Sequence, residues 1–205
     1  MFGSFVLIPN FVETPRGLPE SLARLVDYGF GASSTKAGLY LLPGALMGFV
    51  AGPTAGMMAK RWGAKWPLSL GMALGAAGIG FLALFHGEPW HIVVGMLMLG
   101  SGLPFTFAAM ATLIVHAVRP HETGVASGMN TVMRTVGGVI GGQVGAAILT
   151  ADTIGRTAVP AESAFVIAFA MSAVAALVAA FVALFVTPWR RGARRPALAG
   201  EAAGD

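Results

Sequence analysis

Five stretches of this chain run for more than 20 residues with no acidic side chain in their interiors, and only one of them holds a central base. They span approximately Ala37–Ala59, Trp66–His86, Trp90–Val118, Thr123–Thr150 and Glu162–Thr187. A hydrocarbon core about 30 Å thick is crossed by about 20 apolar residues rising 1.5 Å each. Backbone groups in lipid must find partners within the segment, so such stretches form helices, and the period-two alternation of a membrane barrel is absent. The expected fold class is therefore all-α: a polytopic membrane helical bundle of five full transmembrane helices plus one partial N-terminal helix. That partial helix is Met1–Glu13, apolar but too short to cross, and without the basic start of a signal peptide.

Composition matters here for what it excludes. Only 11% of the 205 residues are charged, against about 25% in an ordinary soluble domain. A surface of solvated side chains cannot be built from so few, which excludes a water-soluble enzyme. There is no cysteine, so disulfides, thiolate chemistry and Cys-ligated metals are excluded too.

The bases sort by loop. Lys60, Arg61, Lys65, Arg119, Arg190, Arg191, Arg194 and Arg195 fall on one side of the five spans. Arg16, Arg24, Lys36 and Arg156 fall on the other. The richer side is expected to be cytoplasmic, which places the chain in the cell (inner) membrane as a multi-pass protein with its C-terminus in the cytoplasm. The net charge of +4 is then a topology signal and calls for no nucleic-acid partner. The implied organisation is a partial helix at 1–13, an extracytoplasmic loop at 14–36, a five-helix bundle at 37–187 and a disordered cytoplasmic tail at 188–205. Within the loop, Glu20–Tyr28 has apolar residues at helical spacing and reads as a short interfacial helix.

Small residues recur at helical steps. Gly44, Gly48, Gly52 and Gly56 follow one another at four-residue intervals in the first span. Gly137, Gly141 and Gly145 do so in the fourth, beside Gly138 and Gly142. Such rows let helix backbones approach closely in lipid. The third span carries Gly100-Ser101-Gly102-Leu103-Pro104 near its centre. Pro104 removes a helical donor and clashes with the preceding turn, so a broken helix is expected there. Interrupted helices near the midplane mark transporter sites, which makes Ser101 and Pro104 candidate pathway residues; a packing kink without a ligand is the alternative.

Arg134 lies eleven residues past Thr123, about 16 Å along the helix. That depth is beyond the reach of snorkelling, and a central Arg costs about 2.5–3.5 kcal/mol on insertion scales. Ser127, Asn130, Arg134, Gly138 and Gly141 form one polar-to-small stripe at 3–4 spacing. The functional reading is an aqueous cavity in which Arg134, with Asn130 and Ser127, meets an anion, a substrate dipole or a carboxylate from elsewhere. The structural alternative is an Arg held by backbone carbonyls of a kinked neighbour. His86 and His91 flank one turn and His116 and His121 another, as interfacial residues do. No nucleophile–base pair, carboxylate pair or phosphate-cradling loop is present, so neither enzyme chemistry nor a metal or cofactor is expected.

The segment Gly56-Met57-Met58-Ala59-Lys60-Arg61-Trp62-Gly63-Ala64-Lys65 resembles the signature loop of the major facilitator superfamily. Gly56, Arg61, Gly63 and Lys65 match it; Lys60 stands where the family's aspartate belongs, which weakens a gating salt bridge. Tyr28–Ser33 with Ala37-Gly38-Leu39 and Leu42-Pro43 is similar to the drug:proton antiporter branch with fourteen spans, and so is Gly124–Leu149. Gly48, Gly52, Pro53 and Gly56 also match the antiporter motif of a different helix, a match read here as glycine packing. The resemblance implies the C-terminal half, truncated at its N-terminus, of a proton-coupled multidrug or small-molecule efflux antiporter. Its implied partners are the lipid bilayer, a small-molecule substrate, protons as coupling ion and the missing N-terminal half, without which it is not expected to be active. A self-standing membrane scaffold or assembly protein and a homodimeric half-transporter are the competing readings.

Overall fold

The computed structural model describes residues 4–14, 26, 28–154 and 159–185. The tail 188–205 lies outside the described residues, and the interfacial helix expected at Glu20–Tyr28 falls almost wholly outside them. Among the described residues six α-helices follow one another: α1 (Ser4–Glu13), α2 (Ser34–Trp62), α3 (Lys65–Leu84), α4 (Pro89–Ala117), α5 (Thr123–Ala151) and α6 (Glu162–Ala183). A single 3-10 turn, Pro120–Glu122, leads into α5. The last five helices are each long and apolar enough to cross a membrane. Among the described residues there is no β-strand, only an isolated bridge between Thr153 and Pro160.

Local chemistry sets the ends of these helices. Ser33 caps α2, its Oγ accepting from the Lys36 amide at 3.3 Å, so the helix begins at Ser34 rather than at Ala37. Gly63 ends α2 at φ +86°, a left-handed conformation that a side chain resists. Lys60 and Arg61 occupy its last turn, where the helix dipole favours cations. Glu88 and His91 form a reciprocal capping box at the start of α4, with Pro89 in the first turn. Beyond α1 the chain turns back at Gly29, φ +78°. A Cβ there would lie 2.1 Å from the Thr14 carbonyl oxygen. The amides of Phe30 and Ala32 then donate to the Val12 carbonyl, and that of Gly31 to Thr14, which satisfies the exposed end of α1.

At the centre of the bundle, α4 packs against α2 on one side and α3 on the other, and α3 packs in turn on α6. The expected break in α4 does not occur: the helix is continuous from Pro89 to Ala117 with Pro104 inside it. Its glycines have another cause. A Cβ on Gly100 would lie 2.2 Å from the Gly44 carbonyl oxygen of α2, and one on Gly102 would lie 2.5 Å from that of Gly71 in α3. Two helix backbones therefore cross α4 within one turn of each other, and only glycine leaves room for both.

The two ends of the bundle are packed differently. At the end marked by His86, a core of large side chains centres on Phe11, buried with Ile8, Phe165, Phe169, Leu82 and Met96. Phe11 stacks on Tyr28 at 5.5 Å and meets Phe165 edge-on at 5.4 Å. At the end marked by Lys60, the buried cluster is Ala64, Leu68, Ala109 and Ala183. Helix α5 is the least enclosed element. Gly145 is its one buried residue among those described, with Leu7 of α1 about 3.7 Å from where a Cβ would be.

Candidate functional site

A cavity of about 640 Å³ opens between α5 and the faces of α3, α4 and α6. Its position follows from the sparse packing of α5: the small residues Gly137, Gly138 and Gly141 on one wall face Ala175, Ala176 and Ala179 on the other. Where these small residues face one another, a space remains. Leu103, Thr106, Phe107 and Met110 of α4 close its floor.

Asn130 and Arg134 both line this cavity. The Arg134 guanidinium carbon sits 4.5 Å from the centroid of the Phe107 ring. An arginine over an aromatic face is attracted by the ring's quadrupole, by about 2 kcal/mol when desolvated. Among the described residues no carboxylate pairs with Arg134. Inside this chain the half-buried guanidinium is therefore partnered by an aromatic ring on α4.

The remaining pathway candidates are placed elsewhere. Ser127 is exposed on α5 and does not border the cavity. Ser101 is buried, its Oγ donating to the Met98 carbonyl at 2.9 Å, and Pro104 faces α2, its Cγ 3.6 Å from where a Gly48 Cβ would be. Because α4 is unbroken, its cavity-facing residues are those one turn further on. Thr106 is among them, with its hydroxyl already donating to the Gly102 carbonyl at 3.0 Å.

The glycine rows also divide. Gly44 is pressed against the α4 backbone, 2.4 Å from the Met96 carbonyl oxygen to a would-be Cβ. Gly48 makes an ordinary contact with Pro104, and Gly145 one with Leu7. Gly52, Gly137 and Gly141 meet nothing within 4 Å among the described residues. In the signature loop, Gly56 likewise meets nothing, Arg61 lies 5.8 Å from the Trp62 ring centroid, Gly63 makes the turn and Lys65 opens α3. Among the described residues no carboxylate lies in ion-pair reach of Lys60, Arg61 or Lys65.

Sequence reasoning overlooked Phe107 and the methionines Met72, Met110, Met133 and Met171 that share the lining. An aromatic residue or a methionine in an apolar span has the same signature whether it faces lipid or a cavity. The available signal was Arg134 itself, which must have something to sit on.

The family model of the Major Facilitator Superfamily matches residues 2–203. The chain is 36% identical over 69 residues to "Multidrug resistance protein MdtH" of Klebsiella pneumoniae, a match over 34% of this chain and 17% of that protein. It is 26% identical over 130 residues to "Multidrug resistance protein Stp" of Mycobacterium tuberculosis, over 63% of this chain and 22% of that protein. The chain thus spans about a fifth of the length of these curated relatives. No solved structure matches it significantly.

Proposed function

The chain belongs to the Major Facilitator Superfamily, a family of membrane transporters, and from that membership we propose that it forms the C-terminal half of a proton-coupled exporter of small molecules. The observation that carries this reading is Arg134 with Asn130 in a mainly apolar cavity near the middle of the bundle. Four methionines give that cavity walls that adapt to different apolar shapes. The guanidinium supplies the polar end, where an acceptor or anionic group of the cargo docks. The names of the two relatives favour drug-like cargo.

A second half from the same transporter is proposed to cover α2 and α5. The support is the large apolar side chains these helices leave exposed, Phe49 and Val50 on α2 and Val132, Val139 and Ile140 on α5, beside glycines that no neighbour among the described residues fills. In the proposed orientation the Lys60 loop and the C-terminus face the cytoplasm of the cell (inner) membrane, and Arg61 and Lys65 move with that gate. The family's proton-driven branch, which the Tyr28–Ser33 and Gly124–Leu149 stretches resemble, supports protons as the coupling ion.

The test is an export assay on the transporter as its gene encodes it, with membrane insertion checked in parallel. Arg134→Ala and Arg134→Lys are expected to abolish export while the protein still inserts. Full export by both variants would remove Arg134 from the pathway. A protonophore is expected to stop export by the native protein, and export that continues would exclude proton coupling.

A further inference from the structure

His86 follows the end of α3 at the large-side-chain end of the bundle, and both of its ring nitrogens point at acceptors. Nδ1 lies 3.0 Å from the Leu82 carbonyl oxygen, and Nε2 lies 2.8 Å from Oε1 of Glu162, the first residue of α6. A carbonyl oxygen only accepts, and an ionised carboxylate only accepts. A neutral imidazole has one N–H, so with ionised Glu162 either tautomer leaves one contact with acceptor facing acceptor. The geometry is satisfied by an imidazolium against a carboxylate, or by a neutral imidazole accepting from a protonated Glu162. Each of these states holds one proton more than neutral histidine with ionised glutamate.

The pair is sheltered on the histidine side, while the Glu162 side chain is 48% exposed to solvent. The His86 side chain is 15% exposed and the Phe11 ring lies edge-on to it at 5.5 Å. Among the described residues, no other titratable side chain bonds to His86 or Glu162. Tyr28 donates its hydroxyl to the Pro160 carbonyl. The Glu88 carboxylate accepts from Trp90 Nε1, and the His91 ring accepts from the Glu88 amide. Asp152 accepts from Ser163 Oγ. Glu13 and Lys36 form no ion pair among the described residues. Of these groups Tyr28 faces Glu162 most directly, and its burial and the Glu162 charge both keep the phenol protonated.

We propose that His86 and Glu162 form a one-proton binding site that ties the end of α3 to the start of α6. With the proton present, a charge-assisted hydrogen bond spans the two helices. Without it, neutral His86 satisfies only one of its two acceptors: the tautomer with its proton on Nε2 keeps an uncharged bond to Glu162 but sets the Nδ1 lone pair against the Leu82 carbonyl at 3.0 Å, so the tie weakens. The proton moves between bulk water and the pair, and no other bond is made or broken. This site lies apart from the Arg134 cavity, although α6 lines both, and the inference does not rest on the transport reading.

The experiment is ring-nitrogen NMR of the intact protein in lipid nanodiscs, with 15N-labelled histidine and pH varied from 5 to 9 on the order of half a unit per step, the span over which histidine sites titrate. The four histidines are assigned by single replacement, His86→Gln among them. Glu162→Gln keeps a donor that can reach Nε2 but removes the charge. It is expected to move the pH transition in the His86 ring-nitrogen signals, while those of His91, His116 and His121 respond as in the native protein and so report an intact fold. Backbone amides in the first turns of α6, corrected for intrinsic exchange, are expected to exchange about tenfold faster above that transition than below it, equivalent to about 1.4 kcal/mol. His86→Gln is expected to erase that dependence. Identical His86 titration in native and Glu162→Gln protein, or α6 protection that ignores the transition, would overturn the proposal.

Discussion

Phe107 and Arg134 form a contact between α4 and α5, and its worth can be measured one side chain at a time. Phe107→Leu keeps the site apolar and removes the ring face. It is expected to weaken cargo affinity or export about fivefold, corresponding to the loss of about 1 kcal/mol of cation–π attraction, while Phe107→Tyr retains most activity. Tyr28 offers a second single-residue test. Burial, and then the Glu162 carboxylate, push its hydroxyl above the ordinary phenol range. Its folded pKa exceeds its unfolded one, so the stability it confers is complete below about pH 10 and is lost as pH rises through the folded pKa. Thermal unfolding in detergent is expected to show that alkaline loss in the native protein and less of it in Tyr28→Phe. Of these side chains Arg134 and Asn130 were legible in the sequence, because a cation at mid-span has few explanations. Phe107 and Tyr28 were not, since their roles come from what the fold lays beside them.

At the level of helices, the glycine rows make opposite predictions within one motif. Gly100→Ala drives a methyl into the Gly44 backbone of α2, which cannot retreat as a flexible side chain would. A loss of about 2–3 kcal/mol is expected from such overpacking. Gly52→Ala meets nothing within 4 Å and is expected to be neutral or to stabilise by up to about 1 kcal/mol through helix propensity. Denaturant titration of both variants in micelles distinguishes them, and equal effects would show that the α2–α4 crossing is misplaced. The five long helices were readable from apolar length, to within about four residues at each end. The continuity of α4 was not. Pro104 is a local signal for a break, whereas the glycines before it answer to two crossing backbones that are far away in the sequence.

Taken whole, the molecule is firm where α3, α4 and α6 converge on Phe11 and loose around α5. The membership of the family and the polytopic architecture were legible in span lengths and in the Gly56–Lys65 loop. The location of the cavity was not, because it arises from where small residues on separate helices happen to face. That looseness has a consequence for the order of synthesis. Helix α5 carries its cation into the bilayer after α4 but before α6 exists, so for that interval the Arg134 chamber has no wall on the α6 side. Chains halted before Glu162 are expected to be cleared by membrane quality control faster than complete ones, and Arg134→Leu is expected to narrow that gap in a pulse-chase measurement. The residue proposed to grip cargo in the finished protein is thus also the one that makes its half-built precursor hardest to keep.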